Sequence, residues 1–338
     1  MTFRESIFRL PFFFSFFTAY TLAKKKLGVF EMSVQTVYKP EGVLSESFQN
    51  KTYFKSSASL KEAFISGKIL EARATACDCD HNLIVDLGCC RGVIPRVECA
   101  IGIEDSSTRD IAIISRVNKP VCFRIKGFED DGTAILSRRE VQVECLENFV
   151  KNLSTGDVLD CRITHLEQFG AFADIGCGIV SLLPIDMISV SRISHPSDRF
   201  RVGDYIKAVV ASIDPDTLRV TLSHKELLGT WEENAQLFRA GETVAGIIRS
   251  VEPYGVFVEL TPNLAGLAEP REDVFSGQHA SVYIKSLIPE KMKVKLIIVD
   301  AFDADYSSTP SNYFFEGDHI DRFCYSPDCS SKVIETIF

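Results

Sequence analysis

Residues 156–184 read GDVLDCRITHLEQFGAFADIGCGIVSLLP, and residues 241–269 read GETVAGIIRSVEPYGVFVELTPNLAGLAE. Placed at a spacing of 85 residues, the two segments align without a gap, so the chain contains a repeat. Leu159, Cys161 and Ile163 alternate with polar residues, as the interior-facing side chains of a strand do. Residues 169–172 (FGAF) fall on residues 254–257 (YGVF).

A weaker third copy begins at Gly67 and reads GKILEARATACDCDHNLIVDLGCCRGVIP. It has no aromatic turn, and residues 79–82 (CDHN) stand near that place. Two more strand-like runs follow each copy, separated by turn residues such as 214–217 (DPDT). The repeated pattern therefore predicts a mainly β protein of three tandem five-stranded closed barrels.

Helical patterns precede the barrels at residues 59–65, 139–153 and 224–239. These short helices either space neighbouring barrels or pack under them. The predicted divisions are 1–31, an overcalled start or apolar leader; 32–57, an irregular segment; 58–138, a degenerate first repeat with its preceding helix; 139–155 and 224–240, helical linkers; 156–223 and 241–300, the second and third repeats; and 301–338, a tail. We expect the tail to pack on the last barrel.

Residues 10–23 (LPFFFSFFTAYTLA) are an apolar run followed by three lysines. The run is short for a membrane span, and its flanks do not fit a signal peptide. We favour Met32 as the true first residue, with a membrane anchor as the alternative. No membrane partner is expected unless residues 1–31 are real.

The net charge, the cysteines and the lack of catalytic motifs argue against several classes of protein. A net charge of −9 argues against a protein that coats duplex nucleic acid, although it permits single-strand binding through aromatic stacking. Eleven irregularly spaced cysteines fit free thiols in a reducing, cytoplasmic location. We predict no metal site, no cofactor and no catalytic residue, because no catalytic motif occurs and the repeats leave no room for a catalytic domain.

The aromatic turns are the candidate binding site. Each glycine bends the chain so that two rings meet, and exposed rings can stack on bases without demanding a sequence. We therefore predict that single-stranded RNA binds at Phe169, Phe172, Tyr254 and Phe257. The alternative is that one or both rings of a pair belong to the barrel core.

Cations near the rings are the candidate phosphate contacts. Arg219 and Lys293 open the last strands of their barrels, and His165 and Arg249 lie on the first strands. Residues 192–201 form a local basic patch in which Arg192 and Arg201 are further candidates. The alternative for the patch is a solvated loop.

The motif from residue 156 to residue 223 resembles the RNA-binding OB-fold repeat of the bacterial small-subunit ribosomal protein S-one family, in its short form with few repeats. The three copies cover roughly residues 67–300. The resemblance implies OB-fold barrels, an RNA face with Phe169, Phe172, Asp214 and Arg219, and matching places at Tyr254, Phe257 and Lys293. The family often has a histidine on the third strand, where this chain has Pro184 and Glu269, which implies weaker or altered base contact.

That resemblance implies a non-enzymatic, mRNA-binding translation factor. It also implies that the first repeat contacts the small ribosomal subunit, although decay of a redundant repeat is an alternative. Two competing hypotheses for the whole chain are an RNA-binding accessory of RNA decay or transcription, and a protein-interaction scaffold without RNA affinity.

Overall fold

The computed structural model describes residues 37–304 and 312–338. The predicted leader, residues 1–31, lies outside the described residues. From Tyr38 onward the chain forms one compact unit. Every helix in the described ranges is too short or too polar to cross a lipid bilayer.

Three closed five-stranded barrels follow one another along the chain, which confirms the predicted mainly β architecture. The first contains β1 (Leu70–Cys77), β2 (Leu83–Asp86), β3 (Arg91–Ile94), β4 (Pro120–Phe128) and β5 (Ala134–Ser137). The second contains β6 (Val158–Glu167), β7 (Gly170–Gly176), β8 (Ile179–Pro184), β9 (Tyr205–Ile213) and β10 (Val220–Ser223). The third contains β11 (Thr243–Glu252), β12 (Gly255–Thr261), β13 (Leu264–Ala268), β14 (His279–Ile288) and β15 (Lys293–Phe302).

All three barrels share the OB-fold order. The first three strands form a meander, the third strand pairs in parallel with the fifth, and the fourth closes the barrel against the first. Alternation along the strands directs apolar side chains inward. The predicted interior residues Leu159, Cys161 and Ile163 are buried, and closure leaves no long unpaired strand edge.

The described residues contain five short α-helices: α1 (Phe48–Tyr53) and α2 (Ser57–Ile65) before the first barrel, α3 (Ile111–Ile114) between β3 and β4, and α4 (Arg139–Asn148) and α5 (Trp231–Ala235) between barrels. The helical pattern predicted over residues 224–239 corresponds to two shorter helical segments, a 3₁₀ helix at Lys225–Leu228 and α5. The backbone φ of Gly229 is +83°, which breaks the helix, and Thr230 then caps α5 through a capping box with Glu233. The segment predicted to be irregular, residues 32–57, contains α1.

That N-terminal segment also carries Glu41, which connects the first two barrels. Its Oε1 accepts from Arg138 Nε at 2.7 Å, and its Oε2 accepts from Arg116 Nη1 at 3.2 Å. Its backbone N–H donates to Asp174 Oδ2 of the second barrel at 2.7 Å. Burial by itself would raise the pKa of Glu41, but Arg138 and Arg116 hold it below the ordinary value.

A second buried ion pair joins the second and third barrels at the matching repeat position. Glu259 occupies the place of Asp174, and it accepts from Arg199 Nη2 at 2.5 Å and from Arg249 Nε at 2.7 Å. Arg199 belongs to the loop before β9, so this contact also crosses a barrel junction. One acidic position of the repeat therefore anchors each of these two barrels to the preceding part of the chain.

The described part of the tail contacts two barrels, which is more than the predicted packing on the last one. Val158 N donates to Asp318 O at 2.9 Å at the edge of the second barrel. Tyr325 packs in the core of the third, and its hydroxyl donates to Asn263 O at 2.6 Å. Two short strands pair within the tail, β16 (Arg322–Cys324) and β17 (Glu335–Ile337).

His224 is buried where the tail meets the second barrel. Its ring packs edge-on against Phe200 at 5.2 Å and Tyr313 at 5.5 Å between centroids. Burial lowers its pKa, the hydrogen bond to Lys207 O opposes this and Arg199 adds a smaller lowering effect, so that the pKa lies at about 4. The folded chain therefore holds a neutral imidazole.

The pKa of His224 is lower in the folded chain than its ordinary value of 6.5. Its contribution to stability is therefore fully present above pH 6.5 and is lost as the pH falls toward 4. We expect His224→Gln to reduce the loss of unfolding free energy between pH 7 and pH 4 by roughly 3 kcal/mol. Urea unfolding followed by the fluorescence of Trp231 measures this. The control, His195→Gln, should follow the pH profile of the unmodified chain, and an unchanged profile in His224→Gln would contradict the assignment.

Candidate nucleic-acid interface

The aromatic pair of the second barrel lies at the turn between β6 and β7. The side chain of Phe169 is 57% exposed, and Phe172 is half-buried beside it. The ring centroids are 5.9 Å apart, and the rings are nearly perpendicular at 89°. The glycine between them is required, because a Cβ on Gly170 would lie 2.5 Å from Leu183 O of β8.

The third barrel repeats this arrangement at the turn between β11 and β12. Tyr254 is 65% exposed, and its ring lies 6.1 Å from that of Phe257 at 86°. Gly255 again lies close to the next strand, since a Cβ there would be 2.5 Å from Ala268 O. Phe169 and Tyr254 are surface residues, so the alternative that both rings of a pair are core does not apply.

The two faces differ in the residues next to the rings. On the second barrel His165 is the cross-strand partner of Phe172, and their rings stack at 6.3 Å and 28°. Its Nε2 lies 2.7 Å from Glu167 Oε1. On the third barrel Ser250 takes the place of that histidine. The stacking surface of the second barrel therefore has one ring more than that of the third barrel.

The first barrel has no aromatic pair at this place. Its β1–β2 turn contains His81, which has a backbone φ of +62° and lies 3.8 Å from Asp110. Asp78 organises the turn by accepting from the backbone N–H groups of Asp80 and Asn82. This face offers no pair of rings on which bases could stack.

The predicted cations of the second barrel are at the surface. Arg219, Arg192 and Arg201 are exposed. Asp214 shapes the β9–β10 turn by accepting from Thr217 Oγ1 at 2.7 Å, a bond that lowers its pKa. The carboxylate thus has a structural partner already and holds the turn that precedes Arg219.

The third barrel has a basic groove beside its aromatic pair. The groove has a volume of about 730 Å³, and Tyr254 and Phe257 line one side of it. Its lysines are Lys285, Lys291, Lys293 and Lys295. Within residues 37–304 and 312–338, none of these four side chains forms an ion pair with a carboxylate. Only Lys293 was predicted; the alternation of Lys293 and Lys295 on one strand face is the signal that would have found a second lysine.

Arg249 does not lie on this face. Its side chain is 10% exposed, and it binds Glu259 at 2.7 Å and Asp198 at 3.6 Å at the junction with the second barrel. The prediction that Arg249 contacts RNA therefore does not fit its position, because two carboxylates neutralise its charge in a buried setting. Arg199, in the basic patch, is buried in the same cluster.

The chain is similar in sequence to known proteins. Residues 152–225, which include the second barrel, match the family model described as S1 RNA binding domain. The chain is 31% identical over 281 residues to small ribosomal subunit protein bS1 of Staphylococcus aureus, covering 75% of this chain and 69% of that protein. It is 29% identical over 276 residues to the small ribosomal subunit protein bS1 homolog of Bacillus cereus, covering 75% and 70% respectively.

Among solved structures, a multidomain protein with nucleic acid binding domains from Streptococcus pneumoniae is similar over 69% of this chain and 74% of its own. The sequence identity is 13% and the TM-score is 0.24, an overlap that supports no inference about this chain.

Proposed function

Because the chain belongs to the family of small ribosomal subunit protein bS1, we propose that it binds single-stranded RNA by base stacking on its second and third barrels. Messenger RNA is the natural ligand in this proposal, and the setting is translation in the cytoplasm. The mechanism needs no catalytic step and no cofactor.

The observation that carries the proposal is the duplicated aromatic pair. Two barrels present rings 5.9 Å and 6.1 Å apart at nearly the same angle, and in each pair the outer ring is mostly exposed. Contact between apolar rings and water is unfavourable, and exposed apolar surface of this kind marks interaction sites. Stacked bases cover such rings, at about 1–3 kcal/mol per base.

Charge near the rings supports binding of a flexible single strand. The four lysines of the third barrel lie within one groove beside Tyr254 and Phe257. On the second barrel we assign phosphate contact to Arg219, with His165, Arg192 and Arg201 as further contacts. Since the whole chain carries −9 charges, attraction for nucleic acid depends on these local groups, which favours one strand over a rigid duplex.

We further propose that the first barrel docks on the small ribosomal subunit. Its β1–β2 turn lacks the aromatic pair, and it exposes apolar side chains at Ile65, Ile111 and Ile114, which suit a protein contact. Co-sedimentation with purified small subunits tests this, and Ile65→Ser/Ile111→Ser should reduce the bound fraction. Retention of RNA binding with no co-sedimentation would instead favour an accessory of RNA decay or transcription.

Fluorescence anisotropy tests the RNA proposal with a labelled RNA of about 12 nucleotides, a length within the site sizes of OB folds. We expect the full chain to bind the single strand at least about tenfold more tightly than the same RNA annealed to its complement. Equal affinity for both forms would contradict stacking. No affinity for either form would favour a protein-interaction scaffold.

A further inference from the structure

We infer that the first barrel contributes phosphate contacts to RNA bound on the second barrel, through Arg73 and Lys119 across a cleft between the two. The inference rests on the RNA binding proposed above. It assigns a binding role to a barrel whose β1–β2 turn has no aromatic pair.

The cleft is continuous with the aromatic face of the second barrel. It has a volume of about 480 Å³, and Phe172 and His165, which belong to the stacking surface, also line its wall. The opposite wall comes from the first barrel and includes Arg73, Asn118 and Lys119. A strand that leaves Phe172 in this direction therefore passes between the two barrels.

Two of the cleft cations are available to a ligand. Arg73 and Lys119 are exposed, and among the described residues neither has an ion-pair partner. Arg116, by contrast, is neutralised by Glu41 at 3.2 Å. Arg162 donates to the Glu41 backbone carbonyl at 2.9 Å, a contact that leaves its positive charge uncompensated.

The acidic groups of the cleft do not cancel this charge. Glu41 is buried between Arg138 and Arg116. Asp174 is fully buried, and burial together with the neighbouring Glu41 raises its pKa to about 7. The exposed part of the cleft is therefore positive in a chain whose overall charge is negative.

The local backbone holds the two free cations close together. Arg73 on β1 is the cross-strand partner of Pro120, the residue after Lys119. The turn is fixed by the bonds from Ala74 N to Lys119 O at 3.0 Å and from Asn118 N to Ala74 O at 2.8 Å. The buried contacts of Glu41 fix the two barrel walls. Binding here would need little ordering of the protein, which favours affinity.

The test compares Arg73→Gln/Lys119→Gln with Lys68→Gln/Arg109→Gln by anisotropy with a single-stranded RNA of about 12 nucleotides. The second variant is a matched control, because it removes one lysine and one arginine from exposed positions of the first barrel outside the cleft. We expect about tenfold weaker binding for the cleft variant, with a salt slope shallower by about 1.4 for two lost phosphate contacts. The control should stay within about twofold of the unmodified chain.

Both pairs of substitutions are then placed in two aromatic-variant chains. In Tyr254→Ala/Phe257→Ala, where the second-barrel rings remain, the cleft substitutions should still cost about tenfold. In Phe169→Ala/Phe172→Ala they should cost less than about twofold, because no RNA is held beside the cleft.

Equal losses in both aromatic-variant chains, or equal losses from cleft and control substitutions, overturn the inference. So does full affinity of the cleft variant while the unmodified chain binds RNA. If the unmodified chain binds no RNA at all, the proposed function fails and the cleft role fails with it.

Discussion

Replacing Arg138 with methionine should lower the free energy of unfolding by about 3–5 kcal/mol. Both Arg138 and Glu41 are almost completely buried, and two hydrogen bonds join them at 2.7 Å and 3.0 Å. Methionine fills similar space but leaves the Glu41 carboxylate with only Arg116 as a charged partner. A buried charge that loses its main partner destabilises far more than the pair itself stabilises.

Urea unfolding measures this effect, and the neighbouring arginine provides the control. Arg139 pairs with Glu98 at 2.8 Å but is 38% exposed, so Arg139→Met should cost no more than about 1 kcal/mol. Adding Glu41→Gln to Arg138→Met should recover part of the loss, because it removes the uncompensated charge. Equal effects of the two arginine substitutions would contradict the role assigned to Glu41.

The barrels could be predicted from sequence because their determinants are local. Alternation along each strand and turn residues between strands act within one repeat, and the spacing of 85 residues shows that the same pattern recurs. The aromatic pairs were found for the same reason. The second aromatic of each pair follows the first by three residues, and the glycine between them signals the bend.

The junctions between barrels could not be predicted in this way. Glu41 meets Arg138 across 97 positions of the chain, and Arg199 meets Glu259 across 60. Neither pairing leaves a periodic pattern. One signal was present, since Asp174 and Glu259 occupy matching repeat positions within barrel strands, where an unpaired acid would be costly. An acid repeated at an interior position predicts a buried partner, although not which residue supplies it.

Two details of the prediction differ from the structure for separate reasons. Arg249 was grouped with the RNA contacts because it lies on a first strand near the rings, and its partner Glu259 lies on the adjacent strand. The helical pattern over residues 224–239 is present, but it divides into two helical segments at Gly229, whose backbone φ is +83°. Composition indicates the helical character of the segment but not the break, which depends on a backbone angle that glycine adopts readily.

The second large effect concerns RNA affinity. The variant Phe169→Ala/Phe172→Ala/Tyr254→Ala/Phe257→Ala removes both aromatic pairs. We expect it to lose about 4 kcal/mol of binding free energy, or roughly a thousandfold in Kd, since each stacked base contributes about 1–3 kcal/mol. The barrels should stay folded, because Phe169 and Tyr254 are exposed and all four rings lie outside the barrel interiors.

A matched control removes the same side chains from elsewhere on the surface. Phe48, Phe64, Phe275 and Tyr283 are all exposed, and they again comprise three phenylalanines and one tyrosine. Alanine at these four positions should leave RNA affinity within about threefold of the unmodified chain. This comparison separates specific stacking from a general loss of exposed apolar surface.

The most direct measurement is therefore a titration of single-stranded RNA, read by fluorescence anisotropy, against the unmodified chain and these two variants. Circular dichroism first establishes that all three are folded. We predict tight binding by the unmodified chain and the control variant, and a roughly thousandfold loss in the variant without the two aromatic pairs. Equal affinity of the unmodified chain and that variant would contradict RNA binding through these rings.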